Sequence, residues 1–306
     1  MLDQTGAQRR PAAAGRDGAL RSLLFVPADS ERKVAKALDS AADVVILDLE
    51  DAVAPSAKDP ARALVRDLLA AERRRRIAVR VNAADTQWYL HDLAAIGGSR
   101  PDIVMLPKCA GAADVARLGD QLAVLEIAAG NPADAAAILP LVTETAASLA
   151  AMDYRGASDR LCGLAFAGED LAADLGVEAR DASGMNPLLE QARRAVAIAA
   201  AAAGVAAIDT PFPDPRDDPG LARETTEAAR LGFAGKMCIH PAQLDAVHAA
   251  FRPSDATIDW SMAVVSAFAA SPGEGVTLLD GKMIDRAHLR LAERHLRQRD
   301  AAEPAR

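Results

Sequence analysis

An α/β architecture, a (β/α)8 TIM barrel with a C-terminal helical extension, is predicted by three features of the 306-residue sequence. Eight short apolar runs alternate with longer amphipathic stretches: Ser22–Pro27, Val44–Leu49, Ile77–Val81, Ile103–Leu106, Ile138–Val142, Leu161–Phe166, Val205–Asp209 and Lys236–Ile239. These runs are near-continuously apolar, as expected of parallel strands buried on both faces. Polar residues follow directly: Asp48, Glu50, Asp51, Arg80, Asn82, Lys108, Glu144, Asp170, Asp209 and His240. A barrel gathers such strand-end residues at one mouth, whereas an open doubly wound sheet strings them along an edge.

Composition narrows the function. With 51% hydrophobic and 25% charged residues the chain can bury a substantial core. A formal net charge of -8 argues against a general nucleic-acid binder, which needs clustered Lys and Arg facing phosphates. No apolar run is long enough for a bilayer, so no membrane partner is expected. Cys109, Cys162 and Cys238 lie far apart without metal-binding spacing and read as buried free thiols of a cytoplasmic protein. Residues 1–20 read as a flexible N-terminal tail, 21–252 as the barrel and 253–306 as the helical extension.

In the first unit Pro27 ends the strand and Ser30 is a candidate cap for a helix carrying Arg32 and Lys36 at i and i+4. That pair reads either as a phosphate grip or as a solvated basic face. The second unit places Asp48, Glu50 and Asp51 within four residues. Alternation puts the first two on one face and Asp51 on the other. Arg80 interrupts an apolar strand and demands a partner, which is either those acids or an anionic substrate that its planar fork matches. Lys108 reads the same two ways, and the basic run Arg73–Arg76 reads as a solvated cluster.

Two stretches share one layout. Ala137–Glu144 and Leu161–Asp170 are apolar runs ending in carboxylates before helix-compatible segments. Two strand-end acids can share a hard cation such as Mg²⁺, with water and substrate oxygens completing the shell. Asp170 alone reads equally as a helix N-cap. His240 reads as a general base or as a hydrogen-bonded structural residue. Pro272–Val276 reads as a Gly-rich loop, and Asp285, before the charged terminal helix, reads as a lid-borne acid or as that helix's cap.

Together the segments RSLLFVPADSERKVAKA, VVILDLEDAV with Lys58 and Arg62, VRVN, MLPK, Glu144-Thr145, GEDLAADLG, LGFAGKMCIHPAQ and DGKMID resemble the citrate lyase beta-subunit-like family, which includes malyl-CoA and citramalyl-CoA lyases. The resemblance runs from about Arg21 to DGKMID. It implies a barrel assembled as a homotrimer or dimer of trimers, with Mg²⁺ on Glu144 and Asp170. It implies Arg80, Glu50 and Asp285 as catalytic residues, with Asp285 delivered from a neighbouring subunit. Phe25, Arg80 and Glu144 are implied at the substrate, and Arg32 and Lys36 near the CoA phosphates. Departures from the family pattern are Ala28 and Ala167 where glycine is common, Phe25 for a tyrosine, and Ser148 for a glycine.

The implied activity is Mg²⁺-dependent cleavage of a CoA-thioester substrate, citramalyl-CoA or malyl-CoA ahead of citryl-CoA, to acetyl-CoA and a 2-oxo acid product, or the reverse. The alternatives are a class II aldolase acting on a free 2-keto acid and a catalytically silent CoA-binding or assembly subunit.

Overall fold

A computed structural model describes residues 19–71, 75–150, 152–181 and 184–302. Residues 1–18 of the expected tail, and Arg73 and Arg74 of the basic run, lie outside the described residues.

The chain runs β1 (Ser22–Pro27), α1 (Glu31–Leu38), β2 (Val44–Asp48), α2 (Lys58–Ala70), β3 (Arg76–Arg80), α3 (Tyr89–Ile96), β4 (Ile103–Leu106), α4 (Ala112–Ala128), β5 (Ala137–Pro140), α5 (Ala146–Leu149), β6 (Gly163–Ala165) and α6 (Gly168–Leu175). A small antiparallel pair follows, β7 (Arg180–Asp181) and β8 (Gly184–Met185), then α7 (Pro187–Ala203), β9 (Ala206–Asp209), α8 (Asp218–Arg230), β10 (Gly235–Cys238) and α9 (Leu244–Phe251). Eight strands form one sheet in the order β5-β4-β3-β2-β1-β10-β9-β6, all neighbours parallel. Parallel bridges Ile138↔Leu161 and Leu141↔Ala165 join β5 to β6, which makes the sheet a barrel.

β6 is shorter than the expected Leu161–Phe166. On the β5 side, Pro140 has no N–H to give to the ladder, so regular pairing breaks there. The lumen is filled by a cluster drawn from all eight strands, including Leu23, Ile46, Ala78, Met105, Leu139, Ala165, Ile208 and Met237. Each large aliphatic side chain buried in this way contributes roughly 1.5–3 kcal/mol. Ala167 belongs to the same cluster, so its methyl group packs in the lumen.

The chain divides into two compact units, one ending at Val247 and the other beginning at His248. The second contains α10 (Asp255–Ala270), a hairpin of β11 (Val276–Leu279) and β12 (Lys282–Asp285), and α11 (Arg286–Ala302). The expected Gly-rich loop occupies Pro272–Gly275, and the hairpin follows it directly. Asp280 and Gly281 both take positive φ at its turn, the Asp-Gly signature of a tight hairpin. Val264, Phe268, Ile284 and Ala292 form this unit's own core.

Candidate active site

The period-two alternation that fills the lumen also places the first charged groups. Leu23, Ile46 and Ala78 point inward, so Phe25, Asp48 and Arg80, two residues further along β1, β2 and β3, lie on the same face. The top layer of the barrel is therefore an aromatic ring and an ion pair. Asp48 and Arg80 are in register on adjacent strands. Arg80 Nε donates to Asp48 Oδ1 at 2.8 Å and Nη2 to Oδ2 at 2.7 Å. Its guanidinium carbon lies 4.8 Å from the centre of the Phe25 ring. Burial acts against its charge, but Asp48 and Glu50 hold Arg80 more basic than a free arginine.

Glu50 is the second acid of this group. Arg80 Nη1 stands 3.0 Å from Glu50 Oε2, a charge contact out of hydrogen-bond alignment, so this buried oxygen has no donor. Lys108 Nζ donates to Glu50 Oε1 at 2.8 Å. Burial raises the Glu50 carboxyl above its ordinary range, against the pull of Arg80 and Lys108. Asp51, on the other face, is exposed and 3.8 Å from Lys108 Nζ.

Lys108 joins two strand ends. Its ammonium reaches Glu50 while its backbone N–H donates to Glu144 Oε2. It adopts a left-handed backbone, φ 50, uncommon for a side chain with a Cβ and costing of order 1 kcal/mol. The other Glu144 oxygen, Oε1, is buried without a partner. Burial pushes the Glu144 carboxyl up to about 8; the charges of Glu50 and Asp170 add to the rise, and the Lys108 N–H and Arg80 oppose it. Asp170 sits exposed in the first turn of α6, whose N-cap is Ala167, so Asp170 is not the cap.

A buried carboxylate with an orphaned oxygen, a second acid close enough to feel its charge, and no counter-ion on that oxygen fit a hard divalent cation. Among the described residues no cluster of three or more potential ligands forms. Glu144 and Asp170 would thus hold Mg²⁺ as the pair that this ion commonly takes, with water and substrate oxygens beside them.

Other residues serve as supports. Lys58 Nζ donates at 2.7 Å to Leu49 O, Glu50 O and Asn82 Oδ1, which pins the loop that carries Glu50. Asn82 and Arg62 both bond the buried Asp92. Asp209 does not reach the mouth. It points to the helical layer, where Arg193 grips both its oxygens at 2.9 Å and Lys236 donates at 2.7 Å. His240 caps the turn after β10 by accepting from Ala242 N–H, a structural role. Ser30 stands at the N-cap of α1 without a side-chain cap bond. Arg32 and Lys36 project into solvent from that helix. In the second unit Asp285 Oδ1 accepts from Ala287 N–H at 2.9 Å and pairs with His288 Nδ1 at 2.7 Å, so it does cap α11. Sequence reasoning did not single out Asp48 as the main partner of Arg80, although the inward alternation could have done so.

Residues 21–241 match the family model described as HpcH/HpaI aldolase/citrate lyase. The chain belongs to this family. Its relatives include the citrate lyase subunit beta of Escherichia coli K12, 36% identical over 87% of this chain and 88% of that one. A (3S)-malyl-CoA thioesterase of Cereibacter sphaeroides ATCC 17025 is 35% identical over 92% of this chain and 95% of that one. Among solved structures, Mycobacterium tuberculosis CitE in complex with magnesium, acetoacetate and coenzyme A superposes with a TM-score of 0.75 at 34% identity, covering 93% of this chain and 99% of that one. The fold is therefore that of a lyase family whose solved members include CitE in complex with magnesium, and this chain is an enzyme of that family. Among the described residues no helix is long and apolar enough to cross a membrane.

Proposed function

We propose that this enzyme cleaves a 3-hydroxyacyl-CoA, citramalyl-CoA or malyl-CoA ahead of citryl-CoA, to acetyl-CoA and a 2-oxo acid, or runs the reverse condensation. The carrying observation is the convergence of an immobilised arginine and a buried, half-orphaned carboxylate at one end of the barrel. The magnesium and coenzyme A held by the CitE relative support the reading.

Bound Mg²⁺ on Glu144 and Asp170 would neutralise charge on substrate oxygens as the carbonyl forms. Glu50 Oε2, which lacks a donor, accepts the proton of the 3-hydroxyl. The carbon–carbon bond then breaks, and its electron pair becomes a thioester enolate. Arg80, already fixed by Asp48 and stacked on Phe25, offers preorganised positive charge to the enolate oxygen. Asp285 gives the enolate carbon its proton, supplied by a neighbouring chain in a homotrimer or dimer of trimers. Arg32 and Lys36 steer the CoA phosphates. In this reading residues 21–252 are the barrel, 253–306 pack on the neighbouring subunit, and the enzyme works in the cytoplasm.

The malyl-CoA thioesterase relative favours a second reading, hydrolysis of the thioester at the same site. Acetyl-CoA release from citramalyl-CoA, malyl-CoA and citryl-CoA, with Mg²⁺ and with excess chelator, tests both. Chelator-sensitive acetyl-CoA release establishes the lyase, whereas free CoA without acetyl-CoA establishes the hydrolase. Turnover of a free 2-keto acid, unaffected by charge reversal at Arg32 and Lys36, would identify the aldolase. Thioester binding without turnover would identify the silent subunit.

A further inference from the structure

Two ladders flank β6, and both end in the same substitution of a side chain for a main-chain carbonyl. On the β5 side Val142 N–H donates to Ala165 O at 3.0 Å, and the next rung runs from Ala167 N–H to the hydroxyl of Thr143 at 2.8 Å. On the β9 side Phe166 N–H donates to Ile208 O at 2.9 Å, and the next rung runs from Gly168 N–H to the hydroxyl of Thr210 at 3.0 Å. Both threonines are fully buried.

The consequence falls on α6. Ala167 and Gly168 are its N-cap and first residue, and Asp170 follows in the same turn. Thr143 in turn precedes Glu144 directly. One hydroxyl therefore ties the chain carrying Glu144 to the chain carrying Asp170, and the other braces that turn from the opposite side. There is little slack: a Cβ on Gly168 would meet Thr210 Oγ1 at 3.2 Å and the Phe166 ring at 3.3 Å.

We infer that Thr143 and Thr210 are positioning residues that set the spacing of Glu144 and Asp170 for a divalent cation. This rests on the reading of those two acids as the Mg²⁺ site. Without the hydroxyls, the N–H groups of Ala167 and Gly168 lose their acceptors inside the protein, and the turn must shift to find others. Valine has the shape of threonine, so the lost hydrogen bond is tested with little change in packing.

The experiment is calorimetric titration of the full chain with MgCl₂, without substrate. Thr143→Val and Thr210→Val are each expected to weaken Mg²⁺ by about tenfold or more, the usual effect of removing a group that orients a metal ligand. Thr143→Ser should restore near-native affinity. Thr225→Val, at a buried threonine whose hydroxyl serves only its own helix, should leave affinity unchanged. Native Mg²⁺ affinity in Thr143→Val or Thr210→Val overturns the proposal. If Thr143→Val does not fold, Thr210→Val decides it by the same criterion. Glu144→Gln separates the two levels. If it leaves Mg²⁺ binding unchanged, or the native chain binds none, the metal reading falls and the inference with it. If it abolishes binding while the valine variants bind normally, only the threonine roles fall.

Discussion

Arg80 and Asp48 meet through two parallel hydrogen bonds from register-matched positions on adjacent strands, and both side chains are nearly sealed from solvent. Removing one partner of such a pair leaves the other charged and buried, which costs more than the pair itself contributes. Asp48→Asn is therefore expected to lower stability by about 3 kcal/mol in urea denaturation. It should also lower kcat, because the guanidinium loses its fixed orientation. Unchanged kcat would remove Arg80's orientation from the mechanism.

Lys58 holds three oxygen acceptors around the turn that follows β2. Lys58→Met keeps much of the volume but takes the ammonium from Asn82 Oδ1, Leu49 O and Glu50 O, of which Leu49 O keeps the Asn82 Nδ2 donor and Glu50 O the Val53 N–H. A loss of about 1–3 kcal/mol is expected, together with reduced turnover as Glu50 loosens. Denaturation and steady-state kinetics on the same preparation check both effects.

Asp285 has two separable properties, its charge and its capping oxygen. Asp285→Asn retains an oxygen acceptor for the Ala287 N–H, whereas alanine also removes the cap. Turnover should collapse in both variants while thermal unfolding shifts mainly in the alanine one. Near-normal rates for Asp285→Asn would eliminate it as the acid.

Glu224 lies between Lys236, 2.8 Å away, and Arg180, also at 2.8 Å. Burial would raise its carboxyl, but these two cations carry it down to about 2. The folded state thus keeps Glu224 ionised at a pH where the unfolded chain binds a proton. Its stabilisation is present above the ordinary value of 4.5 and is lost as pH falls toward 2. Glu224→Gln should cost about 3 kcal/mol at neutral pH, and the gap to the native chain should narrow through that acid window.

The eight-fold alternation, the parallel strands and the order of the strand-end acids were all readable locally, because a strand buried on both faces must be apolar along its length. The Asp-Gly turn of the C-terminal hairpin was equally present in the residues, hidden by the glycines around it. Which strand-end polar residues meet was another matter. Arg80 and Asp209 look alike in sequence, each a charged residue at the end of an apolar run, yet Arg80 faces the lumen and Asp209 the helices. The difference is one residue of phase, set by how each strand is registered against its neighbours. The same holds for Thr143 and Thr210, which nothing nearby distinguishes from ordinary strand-end threonines. Their hydroxyls acquire a role only when closure of the barrel brings the N–H groups of Ala167 and Gly168 to them. Side-chain type and local period are properties of the chain itself, whereas the partner of a buried polar atom exists only once distant strands have packed together.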